Sequence, residues 1–256
     1  MRLGVLMLTA ALLAAGVAGE LWGEVVSAAD CSSLYPELYA SPAPPRKAEE
    51  PEKVAYLTFD DGPSEVTEKV LDILRGYGIK ATFFVIGPAG EETDERLRRI
   101  AAEGHSIGVH SYCHEYGQIY ASVESWLEDF NRTREWICSV TGERPDFFRF
   151  PGGSTNSHCS ETVRAEIQRE MTRRGFVWFD WNSIGGDDTS EYVAPETIAR
   201  RILKYARDKA RVIILCHDNS PRETTAEALP IIIEELQRQG YTFAALSADV
   251  EPIHLC

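Results

Sequence analysis

From Val54 onward the chain alternates short β-branched or aromatic runs with amphipathic stretches, and this alternation restricts the fold more than any other feature of the sequence. The strand candidates are 54–59, 81–86, 106–109, 147–150, 176–179, 212–216 and 241–244. Between them apolar residues recur three or four apart, as at Val66, Val70 and Leu74, or Leu229, Ile232, Ile233 and Leu236. Ser64, Ser122, Ser160 and Thr225 suit helix N-caps, Pro195 suits a first turn, and Gly104, Gly175 and Gly240 suit C-terminal caps. Strand, helix, strand repeated in this way predicts an α/β domain of parallel strands joined by crossovers. Seven strands suit a closed or nearly closed β/α barrel, and periodicity alone leaves an open doubly wound sheet as the rival.

Either architecture gathers chemistry at the C-terminal ends of its strands. After the first strand stand Asp60 and Asp61, two carboxylates that repel unless a cation compensates them, although Asp-Gly-Pro is also ordinary turn chemistry. His110 and His114 follow the third strand, four residues apart, and with an Asp they make a ligand set for zinc or a similar divalent ion. The fourth strand ends in Arg149 between two aromatics. A buried arginine needs a carboxylate, for which the Asp60–Asp61 pair is the natural partner. Gly152 and Gly153 let backbone approach a ligand and offer N–H groups to an oxyanion. Asp180-Trp181 ends the fifth strand, and Leu215-Cys216-His217 the sixth, which brings a third imidazole to the same rim. Cys113 and Cys216 beside these histidines read as small buried hydrophobes, with a bridge or metal role left open.

His105 reads as a local hydrogen-bonding residue and His254 as tail; Asp187 and Asp188 read as a solvated turn, with lining the groove as the alternative, and His158 as a loop residue facing water, with a substrate contact as the alternative. Trp126 and Trp136 fit a helix packed on the barrel. The net charge of −14 argues against a nucleic-acid partner, which requires clustered Lys and Arg.

Before Val54 the chain is different in kind. Residues 1–28 carry Arg2, an apolar run and the small residues Val26-Ser27-Ala28, the pattern of a signal peptide; a membrane anchor is the alternative, and either exports the rest. Residues 29–53 are proline-rich and predict an extended linker, a stalk if the N-terminus is a tether. Cys31 and Cys256 flank the domain and are candidates for a bridge, one of 15 pairings that six cysteines allow.

TFDDGP at 58–63, HSYCH at 110–114, FRFPGG at 148–153, Asp180-Trp181 and LCH at 215–217 together resemble the five ordered motifs of the polysaccharide deacetylases of the NodB-homology domain, carbohydrate esterase family 4. The resemblance runs over about 54–245 within a domain placed at 54–250, and it implies a deformed seven-stranded (β/α) barrel. It further implies Asp61, His110 and His114 as ligands of a divalent metal, commonly zinc, with Asp60 as general base and His217 as general acid. Arg149 would orient Asp60, Asp180 would tune His217, and Leu215 and Trp181 would shape the acetyl pocket. Gly152 departs from the family, which often has an aromatic residue there; its backbone N–H would still serve the oxyanion. The implied activity is removal of N-acetyl groups from an N-acetylglucosamine polymer, with peptidoglycan expected for an exported monomer. Chitin oligomers, an exopolysaccharide, O-acetylated xylan, a small amide and a non-catalytic carbohydrate binder are the alternatives.

Overall fold

The computed structural model describes residues 31–40, 51–90, 92–189 and 191–255. The segment 1–28 and Cys256 lie outside them, and among the described residues no helix is long and apolar enough to cross a membrane.

Eight strands run parallel: β1 (Val54–Asp60), β2 (Thr82–Ile86), β3 (Ser106–Ser111), β4 (Phe147–Phe148), β5 (Val177–Trp178), β6 (Ser183–Ile184), β7 (Arg211–His217) and β8 (Thr242–Phe243). Seven follow the order β5-β4-β3-β2-β1-β7-β6, and the short β8 pairs with the beginning of β1. The sheet curls into the deformed (β/α) barrel that the motifs implied, with β5 and β6 at its two edges. Helices α1 (Glu65–Tyr77), α2 (Thr93–Ala102), α3 (Tyr116–Ile119), α4 (Val123–Thr141), α5 (Glu161–Arg173), α6 (Pro195–Ala206) and α7 (Glu223–Arg238) connect the strands.

Both faces of the central strands are buried, as parallel sheets demand. Ala55, Leu57 and Phe59 of β1 and Val212, Ile214 and Cys216 of β7 join the large core beneath the helices. Val54, Tyr56 and Ile213 belong to a smaller apolar cluster with Phe84, Phe147 and Phe179. Since side chains alternate along a strand, Asp60 shares its face with Val54 and Tyr56, and His217 with Ile213. β1 and β7 therefore carry mostly apolar residues along the inner face and each delivers one chemical group, Asp60 or His217, where that face reaches the mouth. Cys216 has the opposite parity and is a buried core residue, so it is no ligand.

Most helix punctuation is as the sequence predicts. Ser64 accepts from Val66 N while Thr67 accepts from Ser64 N, and the hydroxyls of Ser122 and Ser160 cap α4 and α5. Thr225 is an exception: α7 begins at Glu223, and the Thr225 hydroxyl donates instead to Asp187. The expected strand at 147–150 shortens to Phe147–Phe148, and the one at 176–179 to Val177–Trp178; β6 was not foreseen.

Residues 31–40 differ from the expected extended linker. Leu38 is buried, and the fully buried Arg174 guanidinium donates to the carbonyls of Cys31, Leu34, Tyr35 and Leu38. Arg134 donates to Tyr39 O, and Ala40 N returns a bond to Arg174 O. Proline spacing reveals nothing of this, because the segment is fastened through its backbone by arginines more than ninety positions away. Cys31 is a free buried thiol against Glu124.

Candidate active site

Asp61 Oδ1, His110 Nε2 and His114 Nε2 converge from the ends of β1 and β3, with Asp61 Oδ1 3.4 Å from each imidazole nitrogen. His110 Nδ1 lies 2.9 Å from Arg149 O, and donation to that carbonyl leaves Nε2 as a free lone pair. Burial pushes His110 down to about 3, so its ring is neutral and forms no ion pair with Asp61. Among the described residues, Asp61 Oδ1 is a buried carboxylate oxygen that finds no hydrogen-bond partner. One unsatisfied oxygen facing two imidazole nitrogens fits a divalent cation, and the three residues are the ones that would hold it.

Asp61 and His114 both have left-handed backbone, with φ of 71° and 52°. Non-glycine residues held there cost roughly 1–3 kcal/mol each, so their surroundings must impose the conformation. For His114 the agent is Asp129 on α4, whose carboxylate accepts from Ser111 Oγ, Tyr112 N and Cys113 N at 2.8–3.0 Å. Ser111 Oγ in turn accepts from His114 N. For Asp61 the next residue is pinned: a Cβ on Gly62 would stand 2.4 Å from the Asp218 carboxylate. Neither Asp129 nor Asp218 was singled out from sequence, and both are recognisable only once the loops are folded.

Asp60 is buried beside this cluster, and Arg149 Nη1 donates to it at 2.8 Å. The same guanidinium also donates to Thr58 Oγ1, Phe179 O and Asp180 O, and it lies over the Phe84 ring at 4.3 Å. The expected Arg149–Asp60 pairing is thus present in geometry. Burial raises the Asp60 pKa, against the opposing pull of Arg149 and His217.

His217 stands at the end of β7, where its Nδ1 is 3.1 Å from Asp187 Oδ1 and its backbone N–H donates to Asp187 Oδ2. Burial disfavours the charged ring, but the Asp187 bond and the charges of Asp187, Asp60 and Asp61 outweigh it and lift the pKa to about 9. The carboxylate against His217 is therefore Asp187 rather than Asp180. Asp180 is buried elsewhere, accepting from Ser154 N, Ser154 Oγ and Leu255 N, so it fastens the loop after β4 to the C-terminal segment. Asp187 is no solvated turn either: it reaches the ring because the two-residue β6 carries the chain across to β7 first.

Leu215 is buried on the inner face of β7, while half-buried Trp181 lies 5.7 Å from the Arg149 guanidinium and packs against Gly153. Gly152 is exposed, with φ of 74°. His105 accepts from Ala81 N as a local residue, Trp126 is core, and His254 stacks on Trp178 rather than trailing away. A groove of about 440 Å³ opens beside Asp61, between Ser64 and Gly87.

Comparison with known proteins decides the family. A family model described as polysaccharide deacetylase matches residues 47–170. A peptidoglycan-N-acetylglucosamine deacetylase of Bacillus cereus is 32% identical over 207 residues, 79% of this chain and 72% of that protein. The chain belongs to the polysaccharide deacetylases. Among solved structures, the catalytic domain of peptidoglycan N-acetylglucosamine deacetylase from Eubacterium rectale superposes with a TM-score of 0.76 at 30% identity, covering 85% of this chain and 96% of that one. A family 4 acetyl xylan esterase from Clostridium thermocellum, in complex with a cobalt ion, has a TM-score of 0.63 at 33% identity, covering 76% and 88%. This deacetylase thus has the NodB-homology fold, with its five motifs at or just after the ends of β1, β3, β4, β5 and β7.

Proposed function

We propose that this polysaccharide deacetylase is a metal-dependent N-deacetylase acting on N-acetylglucosamine units of an extracytoplasmic polymer, peptidoglycan first among them. The observation that carries the reading is the convergence of the Asp61–His110–His114 triad, Asp60 and His217 on one rim. Two relatives named as peptidoglycan N-acetylglucosamine deacetylases support the polymer, and the signal-like residues 1–28 support export or a tether.

Asp61, His110 and His114 would hold a divalent cation, zinc for this donor set, and its charge would polarise the acetamide carbonyl and acidify the attacking water. Asp60, held by Arg149, takes the water proton as its oxygen bonds to the carbonyl carbon. Gly152 offers its N–H to the oxygen that gains charge. As the C–N bond breaks, protonated His217 gives its proton to the amine, leaving acetate and a glucosamine unit. Asp187 holds that ring in orientation and favours its charged form. Trp181 and Leu215 enclose the methyl group. A carbohydrate binder would have no use for both a base and an acid.

The full chain is incubated with peptidoglycan, chitin oligomers and acetylated xylan, and acetate is measured before and after chelation. Acetate from the N-acetylated polymers that stops on chelation and returns with zinc supports the reading. Release from xylan alone, or none from any polymer with zinc present, sinks it.

A further inference from the structure

Four rings stack in a column from the surface into the core beside the site. His158 lies on Tyr116 with centroids 4.2 Å apart and planes within 7°, Tyr116 faces Tyr120 at 6.2 Å, and Tyr120 faces buried Trp126 at 5.7 Å. Tyr120 also donates to Pro151 O, so the column is tied to the loop that carries Gly152. Tyr116 meets the metal-ligating candidate His114 edge to face at 5.3 Å. Its hydroxyl would stand 3.2 Å from a Cβ on Gly152, and so borders the exposed backbone there. Among the described residues that hydroxyl has no hydrogen-bond partner.

A ring fixed on both faces has already lost its rotamer freedom, so a ligand meeting its hydroxyl has little ordering cost to overcome. A tyrosine hydroxyl both donates and accepts, which suits sugar hydroxyls and an acetamide carbonyl equally. Where this chain has glycine at 152, Tyr116 brings an aromatic group to the same place from α3.

We propose that Tyr116 is a substrate-contacting residue, its hydroxyl bonding the N-acetylated sugar held over the triad and its ring braced by His158. This rests on the N-deacetylase reading above. The test compares wild type with Tyr116→Phe, which keeps the column and deletes only the hydroxyl, and with His158→Ala, which removes the brace. With an N-acetylglucosamine tetramer, Tyr116→Phe is expected to lower kcat/KM by roughly 3- to 10-fold, the range of one hydrogen bond. Zinc affinity and Tm should stay at wild-type values, and His158→Ala should show a smaller loss in the same direction. Wild-type kcat/KM in Tyr116→Phe overturns the proposal. Should wild type release no acetate, the N-deacetylase reading has failed, and calorimetry with the tetramer still decides the contact. Weaker binding by Tyr116→Phe upholds it; equal binding, or none by either protein, overturns it.

Discussion

Asp60 occupies a position that by burial alone would favour a neutral acid, yet its proposed task requires a carboxylate. Arg149 and His217 oppose the desolvation, and Arg149 does so with every donor named above already engaged. Replacing Asp60 by Asn preserves shape and removes the proton acceptor. Such a protein should fold and take up zinc while acetate release falls by roughly 10²- to 10⁴-fold; equal turnover would refute the base assignment. His217 sets the opposite limit. Its protonated form persists below a pKa of about 9 and disappears as pH rises through that value, so the rate should fall on the alkaline side. A cation at Asp61 cancels part of the negative charge that raises this pKa, which moves the bound enzyme's limb below 9. Asp187→Asn removes the strongest support of the charged ring and should carry the alkaline limb of the kcat profile to lower pH. An unmoved limb would show that Asp187 does not control the acid.

At the scale of elements, the ligand loops are shaped by helices that hold no ligand themselves. Asp129, on α4, collects three donors from the loop that carries His114. Asp129→Ala should weaken zinc binding by about 10- to 100-fold, the usual effect of losing a group that orients a ligand, measured by competition with a chromophoric chelator. Unchanged affinity would mean the loop keeps its shape unaided. Gly62→Ala drives a methyl group into the Asp218 carboxylate and should cost roughly 1–3 kcal/mol, readable in thermal denaturation. These contacts also mark where sequence reading stops. Asp60, His110 and His217 were legible because each stands at the end of an apolar run that local pattern marks as a strand. Asp187 was hidden because Ser183–Ile184 is too short to register as a strand, so its loop read as solvent-facing. The resemblance implied Asp180 as the carboxylate against His217, but Asp180 is taken up by Ser154 and Leu255 and Asp187 stands there instead.

For the whole molecule, the alternation of strands and helices conveyed a parallel α/β sheet and the motif resemblance its closure into a barrel, but neither conveyed what closes over its outside. The stretch before β1 reads as linker by composition, and yet residues 31–40 form part of the folded surface through Arg174. Arg174→Met removes a donor from four carbonyls, of which Cys31 O and Tyr35 O keep a backbone N–H, and should destabilise the protein by about 3 kcal/mol. The expected signs are a lowered Tm and new proteolytic cleavage before residue 41, with acetate release retained below the melting temperature; an unchanged cleavage pattern would show that the segment is held without the Arg174 guanidinium. The single guanidinium also governs how this region answers tension. A pull along the chain from residue 30 loads four bonds side by side on one rigid plane. Such a clasp resists as a unit and gives way in one step, unlike a zipper that opens bond by bond.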